Sequence, residues 1–246
     1  MLRAADTTSG HSLVLQSLHS KFVAENSQLS LAIFDLDNTL LAGDSDHAWG
    51  QYLVDQGIVD AETYKKANDR FMQEYLDGQL DMNQYLEFSL APLAAHPMDD
   101  LLRWRQHFVE TCIAPMMLPK AKALLEQHRQ QGHYLMIITA TNRFITEPIA
   151  ELLGVDELIA TDPELLDGAY TGRVQGTPSF REGKVIRLQN WLQENPHDLK
   201  NAWFYSDSHN DLPLLEQVGN PVAVDADQTL HNLAVERGWQ VISLRE

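Results

Sequence analysis

Asp35, Asp37 and Thr39 stand at alternate positions in Phe34-Asp35-Leu36-Asp37-Asn38-Thr39-Leu40, directly after the apolar run Leu31-Ala32-Ile33-Phe34. If residues 31 to 36 form a buried strand of a parallel sheet, the chain leaves the layer near Asp35. Both carboxylates then emerge at the strand's carboxyl end, where open α/β sheets bind ligands. Two acids so close repel each other unless a cation or a proton intervenes, so the pair calls for a hard divalent metal, a perturbed pKa, or both. Taken alone, the same three residues also suit a turn and a helix cap. A calcium loop fits poorly, because the sixth position is Leu40 rather than Gly and the twelfth is Asp46 rather than Glu.

Three further places carry residues able to act on a ligand. In Leu135-Met136-Ile137-Ile138-Thr139-Ala140-Thr141-Asn142 a hydroxyl and a run of backbone amides precede a helix, an arrangement that can hold an anion. The alternative there is Thr139 as a strand residue, with Thr141 or Asn142 capping the helix. Lys184 follows Gly183 at a helix start, where the dipole disfavours a cation, although a solvated surface lysine is the ordinary case. In Trp203-Phe204-Tyr205-Ser206-Asp207-Ser208-His209-Asn210-Asp211 a strand again runs into carboxylates, Asp207 and Asp211. Asp211 also suits a helix cap, and His209 reads as a polar loop residue.

The elements that must position these groups follow from periodicity. From Pro119 onward helices and strands alternate: helix 119 to 131, strand 133 to 139, helix 145 to 153, strand 157 to 160, helix 183 to 194, strand 202 to 206, helix 211 to 217, strand 221 to 224, helix 227 to 236 and strand 239 to 243. Repeated β-α units predict an α/β fold with a doubly wound parallel sheet. Residues 166 to 180, rich in Gly, read as a small hairpin. Residues 44 to 115 show helical spacing and almost no strand signal, so we expect an all-helical cap, or lid, inserted after the first strand. The core is then 30 to 43 with 116 to 246. Residues 1 to 29 form an extension with no assigned role, in which Val14, Leu18 and Phe22 suit one short amphipathic helix.

At 246 residues and 44% apolar, the chain can bury a sizeable core. A net charge of −17 disfavours nucleic acid and anionic membrane as partners and makes an anionic substrate depend on a metal or a few placed cations. Cys112 is the single cysteine, which excludes an intramolecular disulfide and a cysteine-based zinc site. With no long apolar run or secretory layout, we expect a soluble cytoplasmic protein; composition says nothing of oligomeric state.

The order acid pair, hydroxyl, lysine, acid pair resembles the four motifs of the haloacid dehalogenase superfamily of phosphohydrolases, over residues 31 to about 225. The resemblance is closest to the branch containing phosphoserine phosphatase, which has a helical cap between the first two motifs and a segment like Asp-Gly-Ala-Tyr-Thr-Gly-Arg-Val at 167 to 174. It implies Asp35 as the nucleophile that takes the phosphoryl group, and Asp37 as the acid that protonates the leaving oxygen and then the base that activates water. Thr139, with Ala140, would bind the phosphoryl group, and Lys184 would balance charge. Magnesium would be held by Asp35, the backbone carbonyl of Asp37, and Asp207, with Asp211 a ligand or a support behind the ligands. Phosphate monoesters are slow enough in water that enzymes supply up to about 21 decades, roughly 28 kcal/mol, so such a division of labour is expected.

In that branch a carboxylate nine residues after the nucleophile binds the substrate ammonium, and Asp44 takes that place; alternatively Asp44 and Asp46 only cap the first lid helix. The branch also clamps the substrate carboxylate with a cap arginine, yet Ser89-Leu90-Ala91-Pro92-Leu93-Ala94-Ala95-His96 has none, and Leu93 would stand in its place. The resemblance therefore points to a small amine-bearing phosphate ester, with histidinol phosphate, the substrate of some relatives, fitting best and its imidazole among His47, Trp49 and Tyr52. Phosphoserine or another small metabolite is the alternative. A phosphotransferase and a non-catalytic binding module of the same fold are the other classes to test.

Overall fold

The computed structural model describes residues 29–195 and 197–245. The short helix expected around Val14, Leu18 and Phe22 lies outside them. Six strands form one parallel sheet: β1 (Leu31–Phe34), β2 (Tyr134–Asn142), β3 (Glu157–Thr161), β6 (Trp203–Ser206), β7 (Asn220–Val224) and β8 (Gln240–Ile242), in the order β3-β2-β1-β6-β7-β8. Every residue of β1 is fully buried, as a central strand covered on both faces requires. From β1 the chain winds outward through β2 and β3, then returns to the other side through β6, β7 and β8. The carboxyl end of β1 is thus the switch point of the topology, where a crevice forms.

Helices cover both faces of the sheet. Pro119–Gln130 leads into β2; Arg143–Leu153 follows it, capped by Asn142 and ended by Gly154 in the left-handed region at φ 66°. Between β3 and Glu182–Glu194 lies a two-stranded hairpin, β4 (Pro163–Leu166) with β5 (Ala169–Val174). It begins three residues before the expected start, because the chain bends straight out of β3 with no intervening turn. The helix expected over 211 to 217 is shorter: a 3₁₀ turn, His209–Asp211, leads into Leu212–Leu215.

Between β1 and the helix Pro119–Gln130 the insert holds four α-helices: α1 (Ser45–Asp55), α2 (Ala61–Leu76), α3 (Met82–Ala95) and α4 (Met98–Phe108). Asp44, Asp60 and Asp81 cap the first three through their side chains. A π-helical turn, Val109–Ile113, and a 3₁₀ turn carry the chain back, and Ala42 N–H donates to Met116 O at 2.8 Å beside the Leu41–Met117 bridge. Apart from the aromatic contacts of Phe71 with Tyr85 and Phe88, the insert buries its apolar side chains together with those of the sheet. Leu53, Leu86, Leu90 and Phe108 belong to the cluster that also contains Phe34 and Leu36. Cys112 is half-buried at the rim of that cluster.

Below the site, His128 is buried between His133, at 2.7 Å across the two Nδ1 atoms, and Tyr205 Oη at 2.8 Å. Burial and then the neighbouring His133 lower its pKa from 6.5 to about 4. The unfolded chain thus binds a proton that the folded chain refuses, so stability is complete above pH 6.5 and is lost as pH falls through about 4. The full difference amounts to about 3 kcal/mol at 1.36 per pKa unit. Urea titrations across that window should show a steeper loss for the wild type than for His128→Gln; parallel curves would contradict the assignment.

Candidate active site

Asp35 N–H donates to Tyr205 O at 2.9 Å, so sheet pairing runs one residue past β1 and carries the Asp35 side chain to the mouth of the crevice. The chain then turns sharply: Leu40 and Leu41 both donate to Leu36 O, and Asn38 takes φ 57°, a conformation asparagine tolerates. Asp37 is thereby folded back to the same side as Asp35. Its Oδ1 accepts from Ser45 N–H at 2.6 Å and its Oδ2 from Thr141 Oγ1 at 2.7 Å. Thr39 faces the other way, donating to Asp207 Oδ1 at 3.2 Å while accepting from Asp207 N–H at 3.1 Å. That reciprocal pair fixes the first loop to the loop after β6.

Lys184 is not a surface residue. It is 3% exposed, with Nζ 2.8 Å from a carboxylate oxygen of Asp35 and 2.8 Å from one of Asp211. Although burial works against its charge, Asp211 and Asp35 hold its pKa above the ordinary lysine value. The approach depends on Gly183, where a Cβ would fall 2.0 Å from Pro178 O. A contact of that kind with backbone must shift the helix start, and overpacking of this type costs about 1–3 kcal/mol. Gly183→Ala is therefore expected to lower the melting temperature by several degrees and the turnover at least about tenfold by moving Lys184; an active, equally stable variant would show that the lysine is not so placed.

Asp211 is 3% exposed and also accepts from Ser206 Oγ at 2.7 Å. Its oxygens are thus engaged by Lys184 and Ser206 while the residue still lines the cavity. Ser206 also accepts from Ser208 N–H at 3.1 Å, tightening the turn that presents Asp207. Thr139 sits beside Asp37 at 3.5 Å and accepts from Thr141 N–H at 3.2 Å. Asn142 caps the helix, whereas Thr141, weighed in the sequence only as a cap, grips Asp37.

The acids show the stress of their proximity. Burial first, with Asp211 and Asp37 adding and Lys184 opposing, raises Asp35 to about 7. Burial and Asp44 raise Asp37 to about 6; burial, Asp35 and Asp211 lift Asp207 well above the usual range. A set of buried oxygens that resists ionising together is a donor set a hard cation would stabilise. Among the described residues no three acidic, histidine or cysteine side chains form a ligand cluster, so a metal here would draw on two side chains and backbone or water oxygens.

Above the acids lies a cavity of about 640 Å3, part of it open to solvent. Asp35, Asp37, Thr139, Ala140, Thr141, Lys184 and Asp211 form its floor, and Asp44, Asp46, His47, Phe71, Met72, Tyr75 and Tyr85 its walls and roof. Asp44 caps α1, accepting from His47 N–H at 2.8 Å, and also lines this space. Trp49 and Tyr52 are not in the wall. They are buried against Phe108, and Trp49 also meets Phe144, because α1 turns that stripe toward the shared core. Phe71, Tyr75 and Tyr85, from α2 and α3, take the place expected for them. Leu93 likewise lies in the apolar cluster with Leu86 and Leu90, at helical spacing along one face of α3. Among the described residues the cavity nevertheless has no arginine, and its one lysine is paired with two acids.

The sequence pattern of the haloacid dehalogenase-like hydrolases matches residues 32–216. The chain belongs to that family. A histidinol-phosphatase of Neisseria meningitidis is 44% identical over 220 residues, spanning 88% of this chain and 99% of that protein. The crystal structure of a protein with unknown function from Bordetella pertussis Tohama I is 45% identical with a TM-score of 0.83, over 88% of this chain and 99% of that one. A substrate-bound phosphoserine phosphatase shares the fold, with a TM-score of 0.66 at 17% identity over 88% and 93% of the two chains. Family, relatives and site together put the chain among the phosphatases of the family. No helix among the described residues is long and apolar enough to cross a membrane.

Proposed function

We propose that this protein is a magnesium-dependent phosphomonoester hydrolase that works through an aspartyl-phosphate on Asp35 and acts on a small amine-bearing ester, histidinol phosphate fitting best. The observation that carries the substrate is the charge of the cavity. Asp44 and Asp46 stand in its wall, while among the described residues Lys184 is the only lysine or arginine lining it and is already paired. An ammonium group finds carboxylates there; a substrate carboxylate finds no free cation and would be costly to desolvate. The Neisseria relative's name agrees with that choice, and its reaction would belong to histidine biosynthesis in the cytoplasm.

The steps follow from the residues in place. The Asp35 carboxylate attacks phosphorus, and the bond from phosphorus to the ester oxygen breaks as the new acyl-phosphate bond forms. Asp37, raised to about 6 and held by Ser45 and Thr141, gives its proton to the departing oxygen. It then takes a proton from the water that attacks the same phosphorus, releasing phosphate and restoring Asp35. Thr139 and Ala140 bind the phosphoryl oxygens, and Lys184 offsets their charge. Asp35, the backbone carbonyl of Asp37, and Asp207 would hold magnesium, which supplies further neutralisation of those oxygens. Asp211 keeps Lys184 in position. In domain terms residues 44 to 115 act as the cap, and residues 30 to 43 with 116 to 246 as the catalytic core.

Turnover of histidinol phosphate, phosphoserine and several sugar phosphates with magnesium tests the assignment. Histidinol phosphate should lead in kcat/KM; equal or better activity on phosphoserine would overturn the substrate. An inactive protein on every ester, p-nitrophenyl phosphate included, would overturn the enzyme.

A further inference from the structure

Asp46 is a second acid in the cavity wall, two residues beyond Asp44, and is only 9% exposed. Its partners are neutral: Tyr85 Oη donates to Oδ2 at 2.6 Å, and Asn142 Nδ2 lies 3.5 Å from Oδ1. Among the described residues its charge therefore has no counter-ion, since Lys184 serves Asp35 and Asp211. Burial raises its pKa to about 7, against the hydrogen bond from Tyr85. A carboxylate without an opposite charge is expensive to bury, and the cost is recovered where a cation arrives from outside. The next residue, His47, lines the same wall, and its buried Nδ1 finds no hydrogen-bond partner among the described residues.

We infer that Asp46, aimed by Tyr85, is a specificity-determining residue that receives a second basic nitrogen of the substrate, the first being taken by Asp44. The class of substrate is then a phosphate monoester with two basic nitrogens and no carboxylate. The inference rests on the reading of the site as an amine-phosphate phosphatase and adds the second nitrogen to it. Two acids also repel a substrate carboxylate, so the same residue works against phosphoserine. A purely structural Asp46 would tie α1 to α3 through Tyr85 and would affect every substrate alike.

The test compares kcat and KM on histidinol phosphate, phosphoserine and p-nitrophenyl phosphate for the wild type, Asp46→Asn and Tyr85→Phe. Asp46→Asn should raise KM for histidinol phosphate at least tenfold, with a smaller change in kcat. The ratio of its kcat/KM on histidinol phosphate to that on phosphoserine should fall at least tenfold. Tyr85→Phe should move that ratio in the same direction by less, and it carries the test if Asp46→Asn does not fold. Equal proportional losses on all three esters, or a ratio within twofold of the wild type, would overturn the inference while leaving the phosphatase intact. A wild type active on p-nitrophenyl phosphate but not on histidinol phosphate would instead overturn the proposed substrate, and this inference with it.

Discussion

With Asp35 replaced by asparagine, magnesium-dependent release of phosphate from p-nitrophenyl phosphate should fall by at least about 10⁴-fold, roughly 5.5 kcal/mol of barrier at 1.36 per decade. The amide keeps the shape and the bond from Lys184, but it cannot form the acyl phosphate. Stability should move the other way. Burial first, then Asp211 and Asp37, raises Asp35 to about 7, so its ionised form is penalised in the fold. For a carboxyl raised in this way the associated stability is complete below the unfolded value of 3.8 and is lost as pH rises through about 7. Asp35→Asn removes that loss, and in metal-free buffer at pH 8 the variant should melt no lower than the wild type. Added magnesium should raise the wild-type melting temperature and leave the variant's nearly unchanged. Activity within a hundredfold of the wild type would show that Asp35 is not the nucleophile.

Lys184→Met is expected to do the reverse and damage fold and chemistry together. Removing one partner of a buried charge cluster leaves the others uncompensated, at a cost of about 3–5 kcal/mol. Here two carboxylates, Asp35 and Asp211, lose their bonds at once. In a chain of this size that is a fall of about 10 °C in melting temperature. Adding Asp211→Asn removes one stranded charge, so the double variant should be more stable than Lys184→Met alone. A double-mutant cycle on unfolding free energies measures this coupling, and strict additivity would mean that the lysine and the acid do not depend on each other. Turnover should be low in both, because neither variant restores a cation beside the phosphoryl oxygens.

Much of this molecule was legible before its structure. The alternation of helices and strands after Pro119 announced the parallel sheet, since short continuous apolar runs and Gly-terminated helices are local signals. Asp35, Asp37, Thr139, Lys184 and Asp207 stand at strand ends or at a helix start, and the doubly wound topology carries such places to one crevice. What the sequence withheld depends on contacts between distant segments. Nothing local distinguishes the stripe containing Trp49 and Tyr52 as facing Phe108 and Phe144 rather than a ligand, because an aromatic helix face suits either. Thr141 looked like a cap because its neighbour Asn142 competes for the same role, and only the meeting of the loops after β1 and β2 separates them. The pairing of Asp46 with Tyr85 joins residues 39 positions apart in a segment whose periodicity reports helices but not how they cross.

The apolar cluster shared by sheet and insert bears on what can enter. Because Leu53, Leu86, Leu90 and Phe108 are packed with Phe34 and Leu36, the four helices cannot swing aside as one body without tearing open the interior. The far turn between α2 and α3 is held more lightly, by Arg181 Nη2 on Gly78 O at 2.7 Å and by the contact of Tyr75 with Phe180. Displacing that turn would break these two contacts while leaving the shared apolar cluster closed, so any opening of the cavity costs least there.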